Sequence, residues 1–210
     1  TNASPAILQS GDTIGTLSAR GYDGNSHAQS ANIFFKVSTT PGDGDMPGKI
    51  EFATASDGSE SPSTRMTIDH NGHITTPTNV MFSARNGPND ITNGDLVFAT
   101  LMFQRGGTNY STSTGFFTAP VNGIYHFMCN PYRYSDSTDS YISLQTRANS
   151  SASWSGQLEI RAMTSGANGW NTLALSQLIE LSAGNQVKIY GTNRVHCNTV
   201  LSRFSGMLVG

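Results

Sequence analysis

The sequence predicts an all-β protein in two modules: a short-stranded β shaft over residues 1–80 and a β-sandwich head of jelly-roll size over residues 81–210. Three observations carry this prediction. Charged residues make up 12% of the 210 positions, against roughly 25% in ordinary soluble domains. Short alternating apolar segments recur between clusters of turn residues, the pattern of half-buried strands. No stretch of a dozen residues keeps helical spacing between an N-cap and a C-cap.

In the first module the strand candidates are Thr13 to Ala19 (TIGTLSA), Asn32 to Val37 (NIFFKV), Lys49 to Ala53 (KIEFA) and Arg65 to Asp69 (RMTID). GYDGNS, PGDGDMPG and SDGSESPS separate them and are rich in residues that take tight-turn geometries. Large aliphatic side chains are sparse here, so these strands have trouble burying a core alone and need neighbours, either further repeats or other copies of the module. RMTIDHNGHITTP carries a hairpin signal: Asn71-Gly72 suits a two-residue type I′ turn with both positions at φ > 0, which would set His70 opposite His73.

From Met81 the strands lengthen and aromatics multiply. Leu96 to Phe103, Gly115 to Thr118, Gly123 to Cys129, Tyr141 to Arg147, Gln157 to Ala162, Leu173 to Leu181, Gln186 to Tyr190 and Ser202 to Val209 are the candidates. They amount to a sandwich of about eight to ten strands. Within STGFFTAPVNGIYHF, Pro120 and Gly123 bracket Val121-Asn122 in a turn, across which Phe116-Phe117 and Tyr125-His126-Phe127 are expected to pair.

Composition excludes several functions. Twelve basic and fourteen acidic residues, net charge −2, are scattered with no basic run, so nucleic acid is not an expected partner. The longest apolar run, Leu96 to Phe103, is far short of the ~20 residues a membrane helix needs, so no membrane insertion is expected. No charged-then-apolar leader opens the chain, and its start at Thr1 without a Met suggests a piece of a longer protein. Cys129 and Cys197 permit one disulfide but no framework, and two buried free thiols are the expected state.

The second module resembles the globular head of the complement component-one-q and tumour necrosis factor superfamily over nearly all of Met81 to Gly210. The likeness runs from FSA at Phe82 to Ala84 through LMFQ, Asn109-Tyr110, TGFFTAPVNGIYHF, YISLQTRANS and LALSQLIELSAGNQVKIY to RFSGMLV at Arg203 to Val209. That resemblance implies a jelly roll whose outward aromatic face packs on two other copies around a threefold axis, hence a homotrimer. Animal members commonly carry a collagen stalk, whereas residues 1–80 have no Gly-X-Y period. Instead GKIEFATASDGSESPSTRMTIDHNGHI looks like the repeats of bacteriophage tail-fibre shafts.

The candidate sites divide by chemistry. Six imidazoles from His70 and His73 of three chains could ring a metal on the axis, or the pair could be a solvated hairpin; a metal is not the expectation. Asp43 and Asp45 have calcium-loop spacing, but Pro47 stands at the third ligand position and no Glu follows at the twelfth, which favours a plain turn. No G-x-S-x-G, H-E-x-x-H or P-loop is present, and Glu51, Glu60, Glu159 and Glu180 form no evident glycosidase pair, so neither catalytic residues nor cofactors are expected. The loops are richer. NPYRYSDSTDSY places Tyr132, Arg133, Tyr134, Asp136 and Asp139 in one connection, and two others carry Trp154 and Trp170. Such side chains suit sugar rings or protein surfaces, or they cover the sandwich or a subunit interface.

The expected function is a trimeric, non-enzymatic tip of a phage fibre, on the virion and extracellular. Its expected partners are host surface carbohydrate or protein, together with other virion proteins. The alternative is a virion decoration protein of capsid or tail.

Overall fold

In a computed structural model the described residues are 6–87, 91–134, 139–162, 170–197 and 201–210, and every regular element among them is a strand. The chain divides into two compact units, Thr1–Thr78 and Asn79–Gly210.

The first unit is one antiparallel meander in chain order: β1 (Thr13–Tyr22), β2 (His27–Val37), β3 (Gly48–Thr54), β4 (Ser63–Ile68) and β5 (Ile74–Thr75). Its register sorts side chains by face, because alternate residues point to opposite sides of a strand. Leu17, Ile33, Phe52 and Met66 align across four strands, and Phe35, Ile50, Ile68 and Ile74 form a second row beside them. The opposite face is polar at its centre, where Glu51 accepts from Lys36 at 2.8 Å and from Lys49 at 2.8 Å. The apolar rows stay open: Leu17 is 65% exposed and Ile74 64%. Val37 and Ala53 are buried locally, but among the described residues no second sheet of this unit covers either face.

The hairpin at Asn71-Gly72 departs from the type I′ expectation. Gly72 donates to the Asp69 carbonyl at 3.0 Å, Asp69 pairs back to the His73 carbonyl at 3.0 Å, and Gly72 alone takes positive φ, at 81°. The turn therefore centres on His70-Asn71, with Gly72 as a one-residue bulge. The Asp69 side chain explains the shift: its Oδ1 accepts from the backbone of Asn71 at 2.8 Å and of His73 at 2.9 Å. His70 and His73 consequently do not face each other. His70 meets Ser38 at 2.9 Å, while the His73 ring lies 3.0 Å from Asp69. PGDGDMPG is a tight turn in which Gly42 and Asp45 exchange backbone bonds.

The second unit has two antiparallel sheets. One runs β15 (Leu175–Leu181), β10 (Gly123–Cys129), β17 (Arg203–Leu208), β6 (Met81–Arg85), β8 (Thr100–Arg105). The other runs β13 (Ser155–Ala162), β12 (Ser140–Arg147), β16 (Gln186–His196), β11 (Tyr132–Tyr134), β14 (Trp170–Thr172), with β7 (Ile91–Asp95) and β9 (Phe117–Thr118) also paired to β16. Between them lies an aromatic core. Phe82 stacks on Tyr110 at 4.6 Å and meets Phe117 and Phe204, and Phe117 packs edge-on to Tyr125 and Phe127.

Two strand expectations change. Leu96 to Phe103 is not one strand: β7 belongs to the sheet of β16 and β8 to the sheet of β6, so residues 96–99 carry the chain across the core. Leu96 and Phe98 are fully buried on the way. The Tyr110 hydroxyl satisfies the crossing backbone, donating to the Phe98 carbonyl and accepting from the Phe98 N–H, each at 3.1 Å. Likewise Phe116-Phe117 and Tyr125-His126-Phe127 do not pair with each other. β9 pairs β16 while β10 pairs β15 and β17, so Pro120 to Asn122 leads from one sheet to the other. Phe117 still meets Tyr125 and Phe127, because these three rings point inward from opposite sheets.

Candidate functional site

The Tyr132 connection is partly a strand. Tyr132, Arg133 and Tyr134 form β11, with Tyr132 paired to His196 and Thr172 and Tyr134 opposite Trp170. Strand alternation turns Arg133 inward, and it is fully buried. Its side chain is thus part of the interior and offers no surface to an external ligand, against the loop expectation. Tyr132 is half-buried and Asp139 exposed. The side chains of Tyr134 and Trp170, and all of Asp136, lie outside the described residues. Beside this connection β16 bulges at Asn193 and Arg194, both at positive φ, 53° and 63°. Asn193 is held there by its Nδ2 donating to the Asp139 carbonyl at 2.6 Å and by the Ser140 hydroxyl on its own carbonyl.

Trp154 is placed differently. Phe116 precedes β9, Arg147 ends β12, Trp154 precedes β13 and Lys188 lies in β16. The register sets Arg147 opposite Gln186, and Gln186 opposite Thr118, in one row. The β12–β13 connection then folds Trp154 over that row. Trp154 meets Phe116 edge-on at 5.0 Å, Arg147 stacks 4.4 Å from the Trp154 ring and 5.2 Å from Phe116, and the Lys188 ammonium lies 4.5 Å from Trp154. Asp95 of β7 neutralises Lys188 at 2.6 Å. Arg147 donates from Nε to Gln186 at 2.7 Å and from Nη1 to the Ser150 carbonyl at 3.0 Å. Of this group the sequence marks Trp154 as a site candidate and Phe116 only as a strand residue; Phe116, Arg147 and Lys188 reach Trp154 through sheet pairing, which has no local signal.

Next to this cluster opens a cavity of about 690 Å³, lined by Phe116, Arg147, Gln186 and the polar segment from Thr108 to Thr114. Gln104 shapes its floor, its Oε1 accepting from the backbone of Asn109 at 3.1 Å and of Tyr110 at 2.6 Å.

A third feature is the outward face of the β15-β10-β17-β6-β8 sheet. Leu178, His126, Met207 and Met81 align in one row, with Ile124, Met128 and Phe103 beside it. Leu178, Ile124, Met128, Met207 and Phe103 are exposed. The His126 ring meets Ser176 Oγ at 2.7 Å within this face.

Among the described residues no three His, Cys, Asp or Glu side chains gather as a metal site requires, and none of the elements is a helix that could cross a membrane. Cys129 and Cys197 are both free and buried.

Two antiparallel sheets closing on an aromatic core, with the chain crossing between them at residues 96–99 and 120–122, define a jelly-roll domain. The C1q domain family model matches residues 81–209, and the chain belongs to that family. Its second unit has the fold of the globular domain of zebrafish complement 1qA protein, at 18% identity and TM-score 0.50 over 62% of this chain and 98% of that one. It is similar also to murine APRIL, at 9% identity and TM-score 0.50, with 62% and 99% covered, and to Eiger TNF from S. frugiperda, at 13% identity and TM-score 0.51, with 63% and 94% covered. No curated protein matches the sequence. Domains of this family are typically trimeric and act by binding.

Proposed function

We propose that this protein is the homotrimeric tip of a bacteriophage fibre, displayed on the virion, that attaches to the host cell surface without catalysing a reaction. The observation that carries the reading is that both units leave rows of large apolar side chains open on a sheet face. Leu17, Phe35 and Ile74 do so in the first unit, and Leu178, Ile124, Met128 and Met207 in the second. Contiguous exposed apolar patches of this kind mark interaction surfaces. Membership in a family of trimeric domains favours copies of this chain as the cover. A meander with one apolar face is the form a shaft strand set needs if three copies wrap around an axis, and the likeness of residues 48–74 to tail-fibre repeats supports that role. Three equivalent binding surfaces convert weak single contacts into strong attachment through effective concentration.

Immunogold labelling of particles tests the location. Label on projecting tail fibres is expected, and label spread over the capsid axes would replace attachment with decoration. Binding of the intact protein to candidate host cells tests the role, with a fluorescently labelled trimer as the reagent.

A further inference from the structure

We propose that the cavity beside Phe116 and Arg147 binds a saccharide carrying a carboxylate. The inference rests on the head being a recognition domain, and not on where the trimer is displayed. Four observations converge.

The cavity, about 690 Å³, falls within the roughly 300–1,000 Å³ usual for small-ligand sites. Its rim presents the hydroxyls of Thr108, Ser111, Thr112 and Thr114 on small side chains, the donor-acceptor surface a sugar's own hydroxyls match. Phe116 supplies an aromatic ring held at a fixed tilt by Trp154, and such a ring takes the apolar face of a pyranose.

Arg147 supplies the charge. It is clamped at Nε by Gln186 and at Nη1 by the Ser150 carbonyl, and Gln186 is itself fixed by donating to Thr118 Oγ1 at 3.1 Å. Nη2 makes no hydrogen bond to a described residue. The two cations of the cluster also differ: Asp95 neutralises Lys188, whereas no carboxylate of the described residues lies within ion-pair reach of Arg147. The cavity wall holds no acidic residue. A preorganised guanidinium without a counter-ion, at the edge of a hydroxyl-lined space, fits a planar carboxylate. An acidic peptide is the competing ligand, since Leu101 and Phe116 also line the cavity; the run of hydroxyls on Thr108, Ser111, Thr112 and Thr114 favours the sugar.

The test titrates the intact protein with trigalacturonate and with neutral galactotriose, observing the sugar protons by saturation-transfer NMR. Circular dichroism checks the fold of each variant. Saturable trigalacturonate binding is expected, with galactotriose at least tenfold weaker. Arg147→Gln should level the two sugars, and Thr112→Trp, which fills the mouth without touching the charge, should abolish both. No saturable binding by either sugar overturns the proposal, as does acid preference that survives in Arg147→Gln, or binding that ignores Thr112→Trp. So does a Glu-rich peptide that binds the cavity while trigalacturonate does not. A flat titration alongside intact cell adhesion removes this site alone. Saccharide binding without adhesion to any host keeps the site and removes the attachment role.

Discussion

Gly206 in β17 stands against two core rings: a Cβ there would lie 2.6 Å from Phe127 and 2.7 Å from Phe82. Neither ring can retreat, since Phe82 is held by Tyr110, Phe117 and Phe204, and Phe127 by Phe117, Tyr125 and Phe204. Gly206→Ala should therefore cost the second unit about 1–3 kcal/mol by overpacking, measured by urea titration of the intact protein. Cys129 and Cys197 give a chemical prediction at the same scale. Burial pushes both thiols well up, and at Cys129 the neighbouring Cys197 adds to it. Neither is thiolate near neutral pH, so a disulfide reagent at about pH 8 should find no reactive thiol in native protein and two after guanidinium unfolding. Burial of these cysteines was legible from composition. Burial of Arg133 was not, because it depends on Tyr132 and Arg133 pairing with β16, and a polar stretch rich in Tyr, Ser and Asp carries no sign of that pairing.

The first unit's sheet makes its predictions through strands and turns. Burial raises the Glu51 carboxyl, but the bonds from Lys36 and Lys49 outweigh it and hold it below the ordinary glutamate value of 4.5. A folded pKa below the unfolded one means that stability is present above about pH 4.5 and lost as pH falls through the lowered value. Glu51→Gln should thus lower the thermal unfolding temperature at neutral pH, and the gap to the unmodified protein should close on acidification. A gap independent of pH would remove the ion-pair account. At the hairpin, Gly72 at φ 81° should cost about 1 kcal/mol on replacement by Ala, read by chemical denaturation. The hairpin was legible from Asn71-Gly72. Its turn type was not, because Asp69 offers two backbone groups a better acceptor than a type I′ turn would leave them.

At the scale of the whole molecule, the open apolar faces argue for self-assembly. Light scattering should give a mass near three chains of 22.4 kDa, about 67 kDa. Leu178→Glu places a charge on the β15 edge strand of the second unit's outward face without disturbing its core, since Leu178 is 57% exposed. The variant should keep its circular dichroism and lose mass towards one chain. An unchanged mass would place the subunit contact elsewhere.

The sequence by itself determined the class of structure: strand alternation, turn chemistry and low charge are local properties, and each strand carries its own inward and outward set. It gathered the aromatics in the second module but not their side: the outward aromatic face that the resemblance implied is instead built from Leu178, Ile124, Met128 and Met207 with Phe103, while Phe117, Tyr125 and Phe127 are buried. Only the tertiary structure decided which sheet each strand joins, and with it that residues 96–99 and 120–122 cross the core. The same step brought Arg147 to Gln186, 39 positions away, and Phe116 to Trp154. Sheet partners are chosen by the summed fit of distant segments over a shared core. A site assembled across strands therefore has no address in any one of them.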